Sequence, residues 1–241
     1  MYPNWINSPL INTSILSEQF LKIGFSQNGE DEIIREFFWN DILSDIKGTY
    51  LDIGCYHETL YSNTKLLNLA GWNGVAIDAN PDLESHWKNI RRADTFFNLG
   101  IKSSQVNSEF KHLKFFRFKA GAINTFDKNV ARTWVERGFE FRDMLDIECK
   151  TLPEISNLIL SLLPNFSPAF LNIDIEQVNY LSDLSEFLKS MNNPRLVCIE
   201  WVSQGFGIDN YKESMEYHLL SSSGYKVTNI MGGNLFAAYV K

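Results

Sequence analysis

Residues 49–57 read Thr49-Tyr50-Leu51-Asp52-Ile53-Gly54-Cys55-Tyr56-His57, a short apolar run ending in an acid, a glycine and a turn. An apolar run of this length, set between Gly48 and Gly54, is the pattern of a buried strand. The glycine directly after it lets a backbone approach a ligand with no Cβ in the way. The G-x-G-x-x-G spacing that cradles a pyrophosphate is missing. The turn therefore suits a cofactor without phosphates better than a nicotinamide dinucleotide.

Outward from this strand, strand-like and helix-like segments alternate. Strands are expected over 75–77, 95–101, 114–118, 141–149 (an edge strand), 169–173 and 195–201, and helices over 26–39, 62–70, from Pro81 onward, and over 129–137, 152–163 and 180–191. Two last strands, 224–230 and 235–240, are joined by Gly232-Gly233, a hairpin turn signal. The alternation predicts an α/β, doubly wound sheet that is mostly parallel and is closed by an antiparallel C-terminal strand. Residues 25–241 form one domain in this reading, and 1–24 an N-terminal extension that is a candidate for covering the cleft or for forming a homodimer.

Composition narrows the function classes. The 241 residues are 44% hydrophobic, enough for a packed core. With 22 basic and 29 acidic residues the formal charge is −7, and no basic run stands out. That argues against a duplex nucleic-acid binder, which needs a positive face. No signal-like segment and no apolar stretch of membrane-spanning length is seen, so a cytoplasmic protein is expected. Cys55, Cys149 and Cys198 are read as reduced, small buried side chains.

In an open parallel sheet, ligands bind beyond the C-terminal strand ends. Asp78 follows the second strand, with Ala79 beside it. A carboxylate there can accept from both hydroxyls of a ribose, or it can cap the helix at Pro81. A one-glycine turn with an acidic second-strand tip points to an adenosyl ligand, S-adenosylmethionine. Asp174 and Glu176 follow the strand at 169–173. They are candidates for a general base or, if a divalent metal is used, for its ligands; the alternative is a helix cap and a water-facing acid. Glu200 is a weaker candidate for the same site. His57 follows the first strand and is a candidate base. His86, His112 and His218 read as surface or core residues. No zinc-type spacing and no G-x-S-x-G is present.

These residues fall in blocks that together resemble the FkbM-like methyltransferases over roughly 25–201. The blocks are Ser26-Gln27-Asn28-Gly29-Glu30-Asp31, Leu51-Asp52-Ile53-Gly54-Cys55-Tyr56-His57, Ser62-Asn63-Thr64, residues 71–81, Ala122-Ile123-Asn124-Thr125-Phe126, and Asn172-Ile173-Asp174-Ile175-Glu176. The resemblance implies a class I, Rossmann-like seven-stranded fold, S-adenosylmethionine as cofactor, and methyl transfer to a hydroxyl, often of a sugar in a surface glycan. It implies that Asp52, Gly54 and Cys55 form the methionine-side turn, Asp78 the ribose acid, and Gly100 and Ile101 the neighbourhood of the adenine. Gln27 and Asn63 would be cleft residues. The family pattern D-V-E-G, followed two places later by an acid, is changed here to Gln177 and Asn179. A rival reading follows from that change: a non-catalytic S-adenosylmethionine-binding or assembly protein. A nicotinamide-dependent reductase is disfavoured by the single-glycine turn.

Overall fold

The computed structural model describes residues 24–105, 111–175, 180–201 and 208–240. Its strands are β1 (Thr49–Ile53), β2 (Asn73–Asp78), β3 (Thr95–Asn98), β4 (Gly100–Ile101), β5 (His112–Phe118), β6 (Phe141–Lys150), β7 (Phe170–Ile173), β8 (Leu196–Glu200), β9 (Tyr225–Met231) and β10 (Asn234–Tyr239). Its α-helices are α1 (Glu30–Phe37), α2 (Trp39–Leu43), α3 (Lys65–Leu69), α4 (Glu84–Ile90), α5 (Lys128–Glu136), α6 (Leu152–Leu162), α7 (Leu181–Ser190) and α8 (Met215–Ser222).

A seven-stranded sheet runs β3-β2-β1-β7-β8-β10-β9. Every neighbouring pair from β3 to β8 is parallel, and β10 alone runs antiparallel to both β8 and β9. This order, with its reversed strand inserted near one edge, is the class I methyltransferase architecture expected from the sequence. The direction of winding changes between β1 and β7, the place where such sheets open a crevice.

Side-chain alternation explains the layers. Leu51 and Ile53 of β1, with Leu171, Ile173, Val197 and Ile199, meet α6, α7 and α8 on one face. Tyr50, Phe170 and Cys198 point the other way, onto Ile34, Phe38, Leu67 and Trp72. A strand buried on both faces reads as a continuous apolar run, the pattern seen at 49–53. All three cysteines are buried and unbridged.

Several elements differ from the sequence expectation. The strand expected over 95–101 divides: its first part stays with β2, where Leu99 N–H makes the last bond of the ladder to the carbonyl of Asp78. Gly100–Ile101 then pairs with β6 in a second, three-stranded sheet, β4-β6-β5. β6 is its centre rather than an edge. The first helix starts at Glu30, not 26. Residues 25–29 instead form a loop held by Asp31, whose carboxylate accepts from Phe25 N–H (2.5 Å) and Ser26 Oγ (2.8 Å). Pro81 opens a short 3-10 turn capped by Asn80, and α4 follows it. Helix α8 was not expected. Among the described residues no helix is long and apolar enough to cross a membrane.

Gly54 is where two strand tips come closest. Its φ is +76°, and a Cβ built there would lie 1.9 Å from the carbonyl oxygen of Asp174. The glycine is thus demanded first by the backbone beyond β7. Gly54→Ala is expected to cost more than about 2 kcal/mol, combining positive-φ strain with a backbone clash that no side-chain rotation relieves. Urea denaturation measures it, and a loss below about 1 kcal/mol would show that the tips part easily.

Candidate functional site

Beyond β1 the sheet parts. Gly54 and Cys55 both donate their N–H to the carbonyl of Ile77 (2.9 and 3.2 Å), while Asp174 N–H bonds Ile53 on the other side. A cavity of about 390 Å³ opens over this point, within the range of small-molecule sites. Gln27, Asp52, Gly54, Cys55, Asn63, Asp78, Ala79, Gly100 and Ile101 all line it, as do Asp174 and Glu200. Glu176, with Gln177 and Asn179, lies outside the described residues.

Asp78 sits at the tip of β2. It does not cap the turn at Pro81; Asn80 does, accepting from Asp82 N–H. One oxygen of Asp78 instead accepts from Asn80 N–H (2.7 Å) and the other from Tyr56 N–H (2.9 Å). The two amides fix the carboxylate and tie the loop after β1 to β2. Burial pushes its pKa up to about 6 against the opposing pull of those amides. Each oxygen keeps a lone pair for a further donor.

Asp52 lies beneath the floor, 1% exposed. Its carboxylate accepts from Thr64 Oγ1 (2.7 Å) and from Asn172 Nδ2 (2.9 Å), and Asn172 Oδ1 accepts from Asn63 Nδ2 (3.0 Å). Burial raises its pKa above the usual carboxylate range. Thr64 also accepts from Arg91 (3.1 Å), a guanidinium 1% exposed that pairs with Asp94 at 2.7 Å and donates to Tyr50 Oη (2.6 Å) and to the carbonyl of Glu58 (3.1 Å). Asn63 and Asp52, read separately along the chain, thus belong to one buried polar chain.

The second sheet and the segments flanking it supply the opposite wall. Leu99, Ile101, Phe115 and Phe126 make it apolar, and Trp134 of α5 closes one side. Phe115 and Phe126 meet with ring centroids 4.7 Å apart. Gly100 is needed beneath them, since a Cβ would come within 2.5 Å of the Phe126 ring and 2.6 Å of Cys149 Sγ. Phe115 and Trp134 were missed by sequence reasoning, which follows the tips of the main sheet and has no signal for a separate sheet folding over them. This wall is latched to the turn after β2: Arg117 of β5 pairs with Asp143 (2.7 Å) and Asp82 (3.0 Å) and donates to Asn80. On the far rim, Gln27 belongs to the loop before α1. Glu30 there accepts from Asn28 N–H (2.7 Å) and from Asn234 Nδ2 of β10 (3.2 Å).

The structure does not bring His57 to this cavity. Its Nδ1 accepts from the N–H groups of Thr59 and Leu60 (both 3.1 Å), and the ring faces Glu58 and His86. Position along the chain placed it in the turn, but Tyr56, at φ 46°, redirects the backbone just before it.

No protein-family model matches the chain, and no curated protein matches it. Among solved structures it is similar to the Methanococcus jannaschii fibrillarin pre-rRNA processing protein, at 10% sequence identity and a TM-score of 0.40, over 80% of this chain and 66% of that one. The chain thus spans just under two thirds of that protein's length. The fold assignment rests on the strand order described above and draws nothing from a likeness of this size.

Arg91→Met leaves Asp94 buried without its cation. The expected loss is about 3–5 kcal/mol of folding stability, as for other broken buried pairs. It is read from urea unfolding, and a loss under about 1 kcal/mol would mean that the network does not hold the floor.

Proposed function

We propose that the chain is an S-adenosylmethionine-dependent O-methyltransferase, and that its acceptor is a sugar hydroxyl of a surface glycan or of a nucleotide-linked precursor. The observation that carries this reading is the pair of carboxylates, Asp78 and Asp174, that line one cavity from the strand tips on either side of Gly54. The first suits a ribose and the second a reacting hydroxyl.

The residues present fit an adenosyl ligand. Asp78 has lone pairs for two ribose hydroxyls, and Leu99, Ile101, Phe115 and Phe126 form a slot for a flat base. The amide residues Gln27 and Asn63 also line the cavity, together with Asp52. The cofactor, when bound, supplies a methyl already activated on a sulfonium. The remaining tasks are alignment of the acceptor oxygen and removal of its proton. We assign the proton to Asp174, which is exposed to the cavity, because the ring of His57 does not reach it. Tyr56 and Tyr61 support a carbohydrate acceptor. They stack with centroids 6.3 Å apart and planes 17° from parallel, and Tyr61 is 54% exposed at the cavity. Such a flat apolar face suits the C–H face of a sugar ring. The acidic balance of the chain excludes neither a sugar nor a single nucleotide as acceptor.

Asp174→Asn is expected to lower kcat by about 10²–10⁴-fold, the usual worth of a general base, and to leave the affinity for S-adenosylmethionine within about twofold. Turnover on a panel of nucleotide-linked sugars and calorimetry measure the two. An unchanged kcat would remove Asp174 from the chemistry, and binding with no turnover on any acceptor would favour a non-catalytic adenosyl-binding protein.

Asp78 gives the site a pH signature. Its ionised form accepts both ribose hydroxyls, and protonation removes an acceptor. Affinity for S-adenosylhomocysteine is therefore expected to hold above about pH 6, the value to which burial raises this acid, and to fall as the pH drops through it. Asp78→Asn should weaken binding by about 1.5–3 kcal/mol per lost charged hydrogen bond and abolish that pH dependence. A pH profile identical in wild type and variant would exclude Asp78 as the ribose acid.

A further inference from the structure

Behind the loop that carries Gly54, Cys55 and Tyr56, three side chains converge outside the cavity: His57, Glu58 and His86 of α4. One ligand atom from each lies within 4.8 Å of the others. Glu58 is 2% exposed, and its Oε2 is buried with no hydrogen-bond donor. A carboxylate oxygen in that state is costly.

The atoms nearest to it cannot repair this as they stand. His57 Nδ1 lies 3.2 Å from Oε2, but that nitrogen already accepts from two backbone N–H groups, so it presents a lone pair. His86 Nδ1 is 4.0 Å away. An acceptor facing an acceptor at 3.2 Å is repulsive unless a proton or a metal ion stands between them, and the second imidazole beside them favours the metal. The 3.2 Å separation matches the spacing of about 3.3 Å between two ligands on one tetrahedral ion with bonds near 2.0–2.1 Å, and the exposed His86 side chain has to close its 4.0 Å by less than about 1 Å to join them. Two imidazoles and one carboxylate form a donor set for first-row divalent ions such as zinc.

We propose that His57, Glu58 and His86 bind one divalent transition-metal ion, with zinc as the reference ion. The ion takes Nδ1 of His57 in place of the amide hydrogens there and neutralises the buried oxygen of Glu58. A fourth position stays open to water beside His86, whose side chain is 57% exposed. The site fastens the loop after β1 to α4. It supplements the bond from Trp87 Nε1 to the carbonyl of Tyr56 (2.9 Å) and so stiffens the turn that lines the cavity. The proposal does not depend on methyl transfer.

The test uses the full chain, stripped with a chelator and titrated with Zn²⁺ by calorimetry, and with Co²⁺ by its ligand-field absorption. The expected result is one tightly bound equivalent, a tetrahedral Co²⁺ spectrum and a raised Tm on adding Zn²⁺. His86→Ala removes an exposed ligand without touching the core and should weaken Zn²⁺ binding at least about tenfold. Glu58→Gln should do the same, and His112→Ala, an exposed histidine on another element, should not. Absence of a stoichiometric site in the wild type, or equal affinity in His86→Ala, overturns the proposal. Because metal affinity and Tm are read without any acceptor, failure here is distinct from failure of the methyltransferase reading.

Discussion

A guanidinium taken out of water must find acceptors for its N–H groups, and Arg91 finds them on four separate segments. Asp94 precedes β3, Tyr50 belongs to β1, the carbonyl of Glu58 lies in the loop after β1, and Thr64 stands before α3. The ring of Trp87 covers the guanidinium, with its carbon 4.5 Å from the centroid. Losing Asp94 would strand a buried charge, and losing any other partner would leave a buried N–H without an acceptor, so the segments are fixed together. Asp94 passes the constraint on by accepting from Gly74 N–H (2.9 Å), at the start of β2. Thr64 passes it to Asp52 and thence, through Asn172 and Asn63, to the cavity floor. The placing of β1 beside β2, and of the polar floor beneath the cavity, rests on this one cation.

The parts of the site that were legible in the sequence are those dictated by local rules. A buried parallel strand must be apolar and must end in a tight turn, so 49–54 and the acid after β2 could be placed without knowing what surrounds them. The two-glycine hairpin at 232–233 was equally readable, because both residues need positive φ. What escaped depended on meetings between distant segments. The ring of His57 turns away because of a backbone kink at Tyr56, which no periodicity reveals. His86 looked like a surface histidine, and it is half exposed; only the fold sets it beside Glu58. In the apolar wall Phe115 and Trp134 escaped, because their spacing resembles ordinary core packing. The division of the third strand follows from the pairing of Gly100 and Ile101 with β6, a contact with a distant strand rather than a property of residues 95–101.

The second sheet shows how charge can position a wall whose inner face is apolar. β5 and β6 turn Phe115 toward the cavity and place Arg117 against Asp82, Asp143 and Asn80. Apolar packing alone is non-directional and would leave the wall free to slide over a flat base. The bidentate contact of Arg117 with Asp143, at 2.7 Å to each oxygen, is directional, and its further contacts reach the turn after β2. The residue proposed to hold the ribose and the ring proposed to cover the base are therefore set by one framework.

The bond between Glu30 and Asn234 joins residues 204 apart in sequence. Gly232 lines the cavity beside it, and a Cβ there would come within 2.3 Å of Asn28 Nδ2. The rim near Gln27 thus takes its shape from a hairpin made much later along the chain. During synthesis the β1 and β2 tips can form while that side of the cavity is still missing. Ligand affinity should then appear late, once β10 has inserted between β8 and β9, and ligand binding becomes a reporter of completed sheet assembly rather than of the early core.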